Sequence, residues 1–430
     1  MSAVPTPPAQ AATASAPRAP SPGVRQLVGL ELVINLAFFL VVPFLAVHLR
    51  EVLGFPGWAV GLVLGLRTFS QQGMFFFGGA LSDRFGPRGL MVAGCLVRVV
   101  GFVLLGLASS LPAAVAGAIL TGVGGALFSP SLEVLAAHVG TRSESSGGRS
   151  RLQVFALLAV AAELGAVLGP FLGSLMLGVS FQVVSFVGAG VFVVIAVVVA
   201  MTLKAPPAGP AGGSPPKTRP ADTSPWPALR NTQFLLFVAA YSSYLLCYNQ
   251  LYLALPVEIE RSGGGSTDLA VLFGMASALT LVGQLPLAAV TARIGSTASL
   301  VTGFVLMALG FVSVAVVATT PAAPGWRHLL PAAGMVVLLV IGQMLVVPTA
   351  KHLIPVFAEG RPLGAYYGAL ASGGGLMVLL GSVVIGSILD LARHPGPTAW
   401  LPWALIAAFP LLSATLLLTR APTRLRKVHP

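Results

Sequence analysis

The stretch Gly79–Gly89, GALSDRFGPRG, constrains the fold more than any other part of the sequence. It separates two long apolar segments and contains Asp83, Arg84 and Arg88, charged residues that are costly to place in hydrocarbon without a partner. Its glycines permit close approach of the backbone and dihedral angles that other residues avoid. We therefore interpret the stretch as a tight, charged connection between two membrane-spanning segments.

The composition of the whole chain agrees with a membrane protein. Of its 430 residues, 56% are hydrophobic and 8% are charged, with a mean hydropathy of +0.91. That leaves too little polar surface to cover a water-soluble globule of this size. The net charge of +12 does not indicate nucleic-acid binding, because the basic residues are scattered between apolar segments. The expected surroundings are a lipid bilayer.

Twelve segments are long enough to cross that bilayer, since about 20 apolar residues span its hydrocarbon core. The predicted helices cover residues 27–49, 58–77, 90–107, 113–135, 152–177, 183–203, 234–255, 269–290, 298–319, 329–349, 363–389 and 398–418. They form two bundles of six, in residues 27–203 and 231–418. The Pro-rich residues 204–230 are predicted to be a polar linker, and residues 1–26 and 419–430 to be tails, the first of them disordered.

Lys and Arg predict the orientation of this chain. If both tails and the linker share one side, that side holds most of the 24 basic residues, whereas the other side holds only Arg50, Arg261, Arg327 and Arg393. Basic loops face the cytoplasm, so we expect both termini there. Residues 1–26 have no apolar run and are expected to be a tail rather than a cleaved signal. The excess of Arg over Lys is typical of a GC-rich bacterial genome, which indicates the bacterial cytoplasmic membrane.

The two bundles also resemble each other in sequence. Asp83-Arg84-Phe85-Gly86 corresponds to Ala292-Arg293-Ile294-Gly295, and Pro130 corresponds to Pro348. Parallel six-helix repeats are found in facilitator-type transporters. The pattern G-x-L-x-D-R-x-G-x-R in the first bundle resembles the loop between helices 2 and 3 of the major facilitator superfamily. That resemblance implies an all-α integral membrane fold, with 12 transmembrane helices in two six-helix bundles related by pseudo-twofold symmetry.

In that superfamily this loop holds the cytoplasmic ends of the two halves together. The resemblance therefore implies a conformational latch, which we expect to be formed by Gly79, Asp83, Arg84, Gly86, Arg88 and Glu133. For Glu133 the simpler alternative, which we favour, is a structural ion pair with Arg84 or Arg88. Its counterpart in the second bundle is Lys351, and opposite charges at equivalent positions would suit a contact between the halves.

The predicted fifth helix contains AELGAVLGPFLGS, in which Gly165, Gly169 and Gly173 recur every four residues and Pro170 follows the second of them. Such spacing gives a smooth face for close helix packing. The stretch resembles the G-x-x-x-G-P-x-x-G motif of the drug:proton antiporters in the same superfamily, which implies export. One departure concerns the family's arginine in helix 4, because this chain has Ala118 at that position. Arg67 or Arg98 is the expected substitute.

Five ionisable residues lie at some depth inside predicted helices, all in the first bundle: Glu31, Arg67, Arg98, Glu133 and Glu163. A charge at the bilayer centre costs about 2.5–3.5 kcal/mol, so each should face a partner or a wet cavity. Three acids against two bases leave one carboxylate in excess. We hypothesise that Glu31 or Glu163 carries a coupling proton, with Arg67 and Arg98 assisting. Two structural alternatives stay open: a permanent Glu163–Arg67 pair, and a Glu31 that is solvated or paired with Arg98 or Arg25.

Helix 7 is the expected wall of the substrate site. Tyr241, Tyr244, Tyr248 and Tyr252 share one side of it, and tyrosine offers an apolar face, a hydroxyl and a quadrupole that attracts cations. An interfacial aromatic belt is the alternative for Tyr252 and Tyr241. The complete predicted substrate site comprises Glu31, Asn35, Phe38, Gln71, Tyr241, Tyr244, Tyr248, Gln284 and Gln343.

The function expected from these features is secondary transport. The sequence lacks H-E-x-x-H, G-x-x-x-x-G-K-S/T and G-x-S-x-G, so neither an enzyme nor an ATP-driven pump is expected. No metal or organic cofactor is expected, and protons serve as the coupling ion. We expect a monomer that exports lipophilic or cationic small molecules in exchange for protons. The alternatives are proton-coupled uptake of a small solute and, in another class, a non-transporting receptor or scaffold.

Overall fold

A computed structural model describes residues 23–145, 148–149, 151–178, 180–202, 230–359 and 363–419. Side chains are described for these residues except 75–85, 130, 138, 151–152, 292 and 363–364. Most of the predicted tails and linker falls outside these ranges, so the domain boundaries drawn from the sequence stay predictions.

Twelve long helices follow one another in the described residues, as the sequence predicts. They are α1 (Val24–Val52), α2 (Gly57–Phe85), α3 (Pro87–Leu107), α4 (Leu111–Ser145), α5 (Arg151–Leu177), α6 (Phe181–Thr202), α7 (Thr232–Arg261), α8 (Ser266–Ile294), α9 (Ser296–Val317), α10 (Leu330–Ala358), α11 (Leu363–Leu389) and α12 (Leu401–Thr419). Two of them are irregular, because α1 has a short 3₁₀ turn around Pro43 and α7 is interrupted at Ala254, just before Pro256.

Eleven of the described helical segments are long and apolar enough to cross a membrane. The remaining long helix, α2, carries Arg67, Thr68, Ser70, Gln71 and Gln72 in its middle. It nevertheless packs between helices of both halves, so its polar residues lie inside the bundle. The polarity of α2 is a first indication of where a hydrated site lies.

The connection that decides the fold is shorter than the sequence predicts. The sequence predicts that helix 2 ends near Phe77, but α2 continues to Phe85 and α3 begins at Pro87. Only Gly86 separates them, with φ of 76°, a value at which L side chains are strained. The repeat has the same break, since Gly295 has φ of 82° between α8 and α9. The prediction of a loop was wrong because one left-handed glycine suffices to turn the chain.

Each half repeats the same packing. In the first half α1 packs on α5 and α6, α4 packs on α2 and α3, and α3 packs on α6. In the second half the equivalent helices, each six positions later, make the same five contacts: α7 with α11 and α12, α10 with α8 and α9, and α9 with α12. The halves meet through α2 with α11 and through α5 with α8, which are themselves equivalent pairs. This is the pseudo-twofold arrangement expected of a six-helix repeat.

The end of the bundle where α1 begins and α12 finishes is called the terminal end below, and the opposite end the far end. At the far end the halves touch backbone to backbone. A Cβ added to Gly57 would overlap the carbonyl of Gly386, and one added to Gly61 would overlap the carbonyl of Ser382. Glycine is therefore required for α2 and α11 to lie this close, and their contact closes the far end.

Candidate functional site

A cavity of about 570 Å³ lies between the first half and α7, a size usual for a small-molecule site. Helices α1 to α5 supply most of its wall, and Tyr248 and Tyr252 are the contribution of α7. The lining is mainly apolar and aromatic, with a small set of polar groups. It consists of Glu31, Ile34, Asn35, Phe38, Phe39, Gln71, Arg98, Phe128, Ser129, Leu132, Glu133, Phe155, Leu158, Ala159, Tyr248 and Tyr252.

Glu31 lines this cavity about two turns inside α1. The Asn35 amide donates to the Glu31 carboxylate at 3.0 Å and to the Glu31 carbonyl at 2.9 Å. The structure does not show the alternative pairing with Arg98 or Arg25, since neither of these described side chains has a charged nitrogen within 4.0 Å of Glu31. The carboxylate is therefore half-buried and held by an amide rather than neutralised by a cation.

Glu133 lies on the same wall and interacts electrostatically both with Glu31 and with Lys351 of α10. Glu133 and Lys351 belong to opposite halves and interact electrostatically, yet both are exposed and form no ion pair within 4.0 Å. The halves are therefore apart at the terminal end, and the cavity opens there. The ion pair with Arg88 is not observed, because the Arg88 guanidinium donates to the Ala200 carbonyl instead.

Arg98 reaches the cavity from α3 and is only 2% exposed. Its guanidinium carbon lies 5.2 Å from the Phe38 ring centroid, 4.7 Å from Phe128 and 5.2 Å from Phe192. Its Nε donates to the Thr121 carbonyl at 3.2 Å. Within the described side chains, no carboxylate oxygen lies within 4.0 Å of it. The charge is stabilised by aromatic faces and one carbonyl rather than by an acid.

Arg67 lies behind the cavity wall and is 5% exposed. The Phe38 ring lies close to both arginines, since the Arg67 guanidinium carbon is 5.5 Å from the same ring centroid. Arg67 donates to the Thr68 hydroxyl at 2.9 Å, and its Nε is buried without a hydrogen-bond partner. Thr68 donates to Asn249 of α7 at 3.1 Å, and Asn249 donates to Ser382 of α11 at 3.2 Å. This buried chain of hydrogen bonds links the two halves on the far side of the cavity.

Glu163 occupies a different place from the one expected for a cavity acid. It does not line the cavity but lies where α5 meets the second half, and its carboxyl has the Ser277 side chain of α8 as a hydrogen-bonding partner. It also interacts electrostatically with Tyr248 and Tyr252. The alternative of a permanent pair with Arg67 is not observed, since no Arg67 nitrogen lies within 4.0 Å of it.

The glycine face of α5 packs on α1. A Cβ at Gly165 would lie 2.6 Å from the Leu32 carbonyl, and one at Gly169 would lie 2.8 Å from the Leu36 carbonyl. A Cβ at Gly173 would lie 2.6 Å from the Phe44 ring of α1, and Pro170 lies inside α5. Close contact at these glycines positions the cavity face of α1, including Glu31 and Asn35.

The predicted substrate residues divide into two groups. Glu31, Asn35, Phe38, Gln71 and Tyr248 line the cavity together with Tyr252, which is 5% exposed and therefore not part of an interfacial belt. The other four predicted residues lie outside the lining: Tyr241, Tyr244, Gln284 and Gln343. The Tyr241 and Tyr244 rings pack on each other nearer the terminal end of α7, with centroids 4.9 Å apart.

The far end carries charges that sequence reasoning treated only as loop residues. Arg50 of α1 pairs with Asp390 after α11, and Arg393 pairs with Glu260 of α7. Glu258 and Arg261 form a bidentate pair with both distances at 2.7 Å. The Arg50–Asp390 pair joins the two halves. The signal in the sequence was the placement of both basic and acidic residues at one set of helix ends.

Three of the six predicted latch residues, Gly86, Arg88 and Glu133, lie in the part of the chain whose side chains are described. Gly86 makes the break described above, and Arg88 bonds Ala200 within the first half. The side chains of Gly79, Asp83 and Arg84 lie outside the described part of the chain, so their predicted role stays a prediction.

Comparison with known proteins identifies the architecture. Residues 27–382 match the sequence profile of the Major Facilitator Superfamily. The chain belongs to the Major Facilitator Superfamily. An uncharacterized MFS-type transporter of Mycobacterium tuberculosis (strain ATCC 25618 / H37Rv) is 35% identical over 372 residues, which cover 84% of either chain. The multidrug resistance protein MdtH of Aeromonas hydrophila is 30% identical over 389 residues, covering 90% of this chain and 92% of its own.

Solved transporters share the fold. The nucleoside transporter NupG superposes with a TM-score of 0.72 at 14% identity, covering 94% of this chain and 99% of its own. The POT family transporter PepTSo superposes with a TM-score of 0.73 at 14% identity, covering 95% and 99%. At such identities the likeness concerns the fold alone. The chain is thus a multi-pass membrane transporter of the Major Facilitator Superfamily and not an enzyme.

Proposed function

We propose that the protein exports lipophilic small molecules that carry a positive charge, in exchange for protons, by alternating access. The observation that carries this proposal is the Glu31 carboxylate, half-buried on the wall of an aromatic cavity and held by Asn35 without a basic partner. Such a carboxylate can bind either a cationic substrate or a proton, but not both at once. The similarity to MdtH proteins supports the direction of transport.

In the proposed cycle, the cavity opens at the terminal end and takes up substrate against Glu31 and the aromatic rings. Closure at that end and opening at the far end then expose Glu31 to the other side, where a proton replaces the substrate. Glu163 is placed to sense this exchange, because the α5–α8 contact that holds its hydrogen bond to Ser277 lies between the moving halves. Proton entry supplies about 2.3 kcal/mol per 100 mV of membrane potential.

Flux in proteoliposomes tests the proposal. Vesicles with an acidic lumen and neutral medium should accumulate the fluorescent cation rhodamine 123 as protons leave, and a protonophore should abolish the accumulation. Glu31→Gln should abolish gradient-driven accumulation while leaving dye binding measurable, and Glu163→Gln should reduce it. Glu144→Gln, an exposed change at the end of α4, is the matched control and should behave as wild type.

The alternatives give different results in the same vesicles. Accumulation driven by an alkaline lumen instead would indicate proton-coupled uptake, and protein-independent flux under both gradients would indicate a receptor or scaffold. Gradient-driven flux that survives in both glutamate variants would contradict the proposed role of these carboxyls.

A further inference from the structure

The cavity has charges of both signs, and they are separated along its depth. Arg98 lies level with Gly125 of α4 and with Phe38 of α1. Glu31 precedes Phe38 by seven residues and Glu133 follows Gly125 by eight, in both cases toward the terminal end. At 1.5 Å per helical residue, the carboxylates are about 10–12 Å closer to the opening. The carboxylates of the lining therefore lie toward the mouth of the cavity, where Lys351 interacts with Glu133, and the inner wall is positive.

The positive inner wall is not neutralised by the protein. Arg98 and Arg67 interact with each other as like charges, and both guanidinium groups lie near the Phe38 ring. Both are more than nine-tenths buried, and no carboxylate oxygen of the described side chains lies within 4.0 Å of either. Burying two cations without an acid is costly, so the site gains stability from an anion that enters the cavity.

One member of this pair borders the cavity, and little of it is uncovered, since Arg98 is 2% exposed. It lines the cavity, whereas Arg67 lies behind the wall. The Arg98 Nε donates to the Thr121 carbonyl. The Arg98 Nη2 lies against Gly125 and close to the Gln71 amide, and a Cβ added to Gly125 would overlap this Nη2. The missing side chain at Gly125 leaves room for the guanidinium edge at the cavity wall. A planar guanidinium edge next to an amide matches the geometry of a carboxylate.

We infer that Arg98 is a subsite for a carboxylate carried by the substrate, so that the transported molecules are aromatic zwitterions rather than simple cations. The carboxylate binds at Arg98, the aromatic body packs on Phe38, Phe128 and Tyr248, and the cationic group lies toward Glu31. This inference rests on the proposed function and narrows its substrate class.

Two dyes that differ in one group test it. Rhodamine 110 has a free carboxylate beside its delocalised cation, and rhodamine 123 is the methyl ester of the same molecule. Binding is measured by fluorescence polarisation with the purified full-length protein. Since a charged hydrogen bond contributes roughly 1.5–3 kcal/mol, the wild type should bind rhodamine 110 about tenfold or more tightly than rhodamine 123.

Variants of Arg98 separate recognition from structure. Arg98→Gln should abolish the preference for rhodamine 110 over the ester, while saturable binding of the ester persists and shows that the variant is folded. Arg98→Lys should retain part of the preference. Arg327→Gln, which removes an exposed arginine at the far end, is the control and should match the wild type.

Three results would overturn the subsite: equal affinity of the two dyes for the wild type, no saturable binding of rhodamine 110, or equal weakening of both dyes by Arg98→Gln. Transport distinguishes this failure from failure of the proposed function. Proton-driven flux of the ester without any carboxylate preference removes the subsite and leaves export standing. A carboxylate preference without proton-driven flux of either dye removes export and leaves the subsite.

Discussion

At Arg98, the neighbouring backbone of α4 carries no side chain where the guanidinium lies. Gly124 lies against the Arg98 Cβ and Gly125 against its Nη2, so consecutive glycines form a groove for the whole side chain. The sequence has Ala118 where the family has an arginine in helix 4. In the structure, Arg98 of the neighbouring α3 lies against α4 instead. The charge in this region is therefore supplied by α3, through a groove that only glycine permits.

Gly125→Ala should displace the guanidinium without removing its charge. A Cβ at this position overlaps Nη2, and three aromatic rings limit where the side chain can move. We expect a loss of the preference for rhodamine 110 over rhodamine 123, measured by polarisation, with an overpacking cost of about 1–3 kcal/mol in stability. Gly29→Ala, where a Cβ meets no atom within 4 Å, is the control. An unchanged dye preference in Gly125→Ala would show that the position of the guanidinium does not matter.

Between elements, the contact of α2 with α11 depends on backbone atoms that cannot move aside. Gly57 and Gly61 of α2 face carbonyl groups of α11 at the far end, and Gly65 faces the Leu379 backbone one turn further in. Flexible side chains could adjust to an added methyl group, whereas carbonyls inside a regular helix cannot. The closed far end therefore rests on glycine at successive turns of α2.

Gly61→Ala should weaken this closure. The added Cβ overlaps the Ser382 carbonyl, so α2 and α11 must separate or strain, at about 1–3 kcal/mol. The expected results are a lower unfolding temperature and greater reactivity of a single cysteine introduced at the far end. Gly73→Ala on the same helix is the control, because the nearest atom to its Cβ is 3.8 Å away. Equal effects of the two substitutions would contradict a specific role for the glycine contact.

The elements show what could be predicted from the sequence. Hydrophobic length predicted all twelve helices, and α11 was predicted with its observed bounds. The predicted ends of α2, α4 and α10 were wrong, because these helices continue past their apolar parts into polar residues. Asp83, Glu144 and Lys351 lie in these extensions and do not end the helices. Five of the nine proposed substrate residues line the cavity. The other four lie outside its lining, because helical periodicity gives the direction of a side chain but not its depth relative to a cavity formed by other helices.

Across the whole molecule, charge pairs distinguish the two ends. Arg50 and Asp390 are in contact between the halves at the far end, whereas Glu133 and Lys351 at the terminal end interact electrostatically without an ion pair within 4.0 Å. The buried chain from Thr68 through Asn249 to Ser382 lies on the closed side of the cavity. Alternating access requires the contacts at the far end to open and those at the terminal end to close.

Asp390→Asn should shift the molecule toward opening at the far end. The substitution removes the ion-pair partner of Arg50, whose side chain is only 7% exposed. Because Asp390 itself is 50% exposed, solvent screening limits the effect to about 1 kcal/mol. We expect an increase of severalfold in far-end cysteine labelling. Asp268→Asn is the control, because Asp268 pairs weakly with His328 at 3.8 Å within the second half. Identical labelling of both variants would contradict a gating role for the pair.

The central claim is that substrate and proton compete for one carboxylate in the cavity. Proton release on dye binding measures this directly, using the purified protein in weakly buffered solution with a pH indicator. Because the substrate binds the charged carboxylate, linkage predicts that it displaces up to about one proton per site from the wild type when the pH is near the midpoint of the Glu31 titration. The variant Glu31→Gln should release none. Saturable binding without proton release from the wild type, or equal release from Glu31→Gln, would contradict the claim.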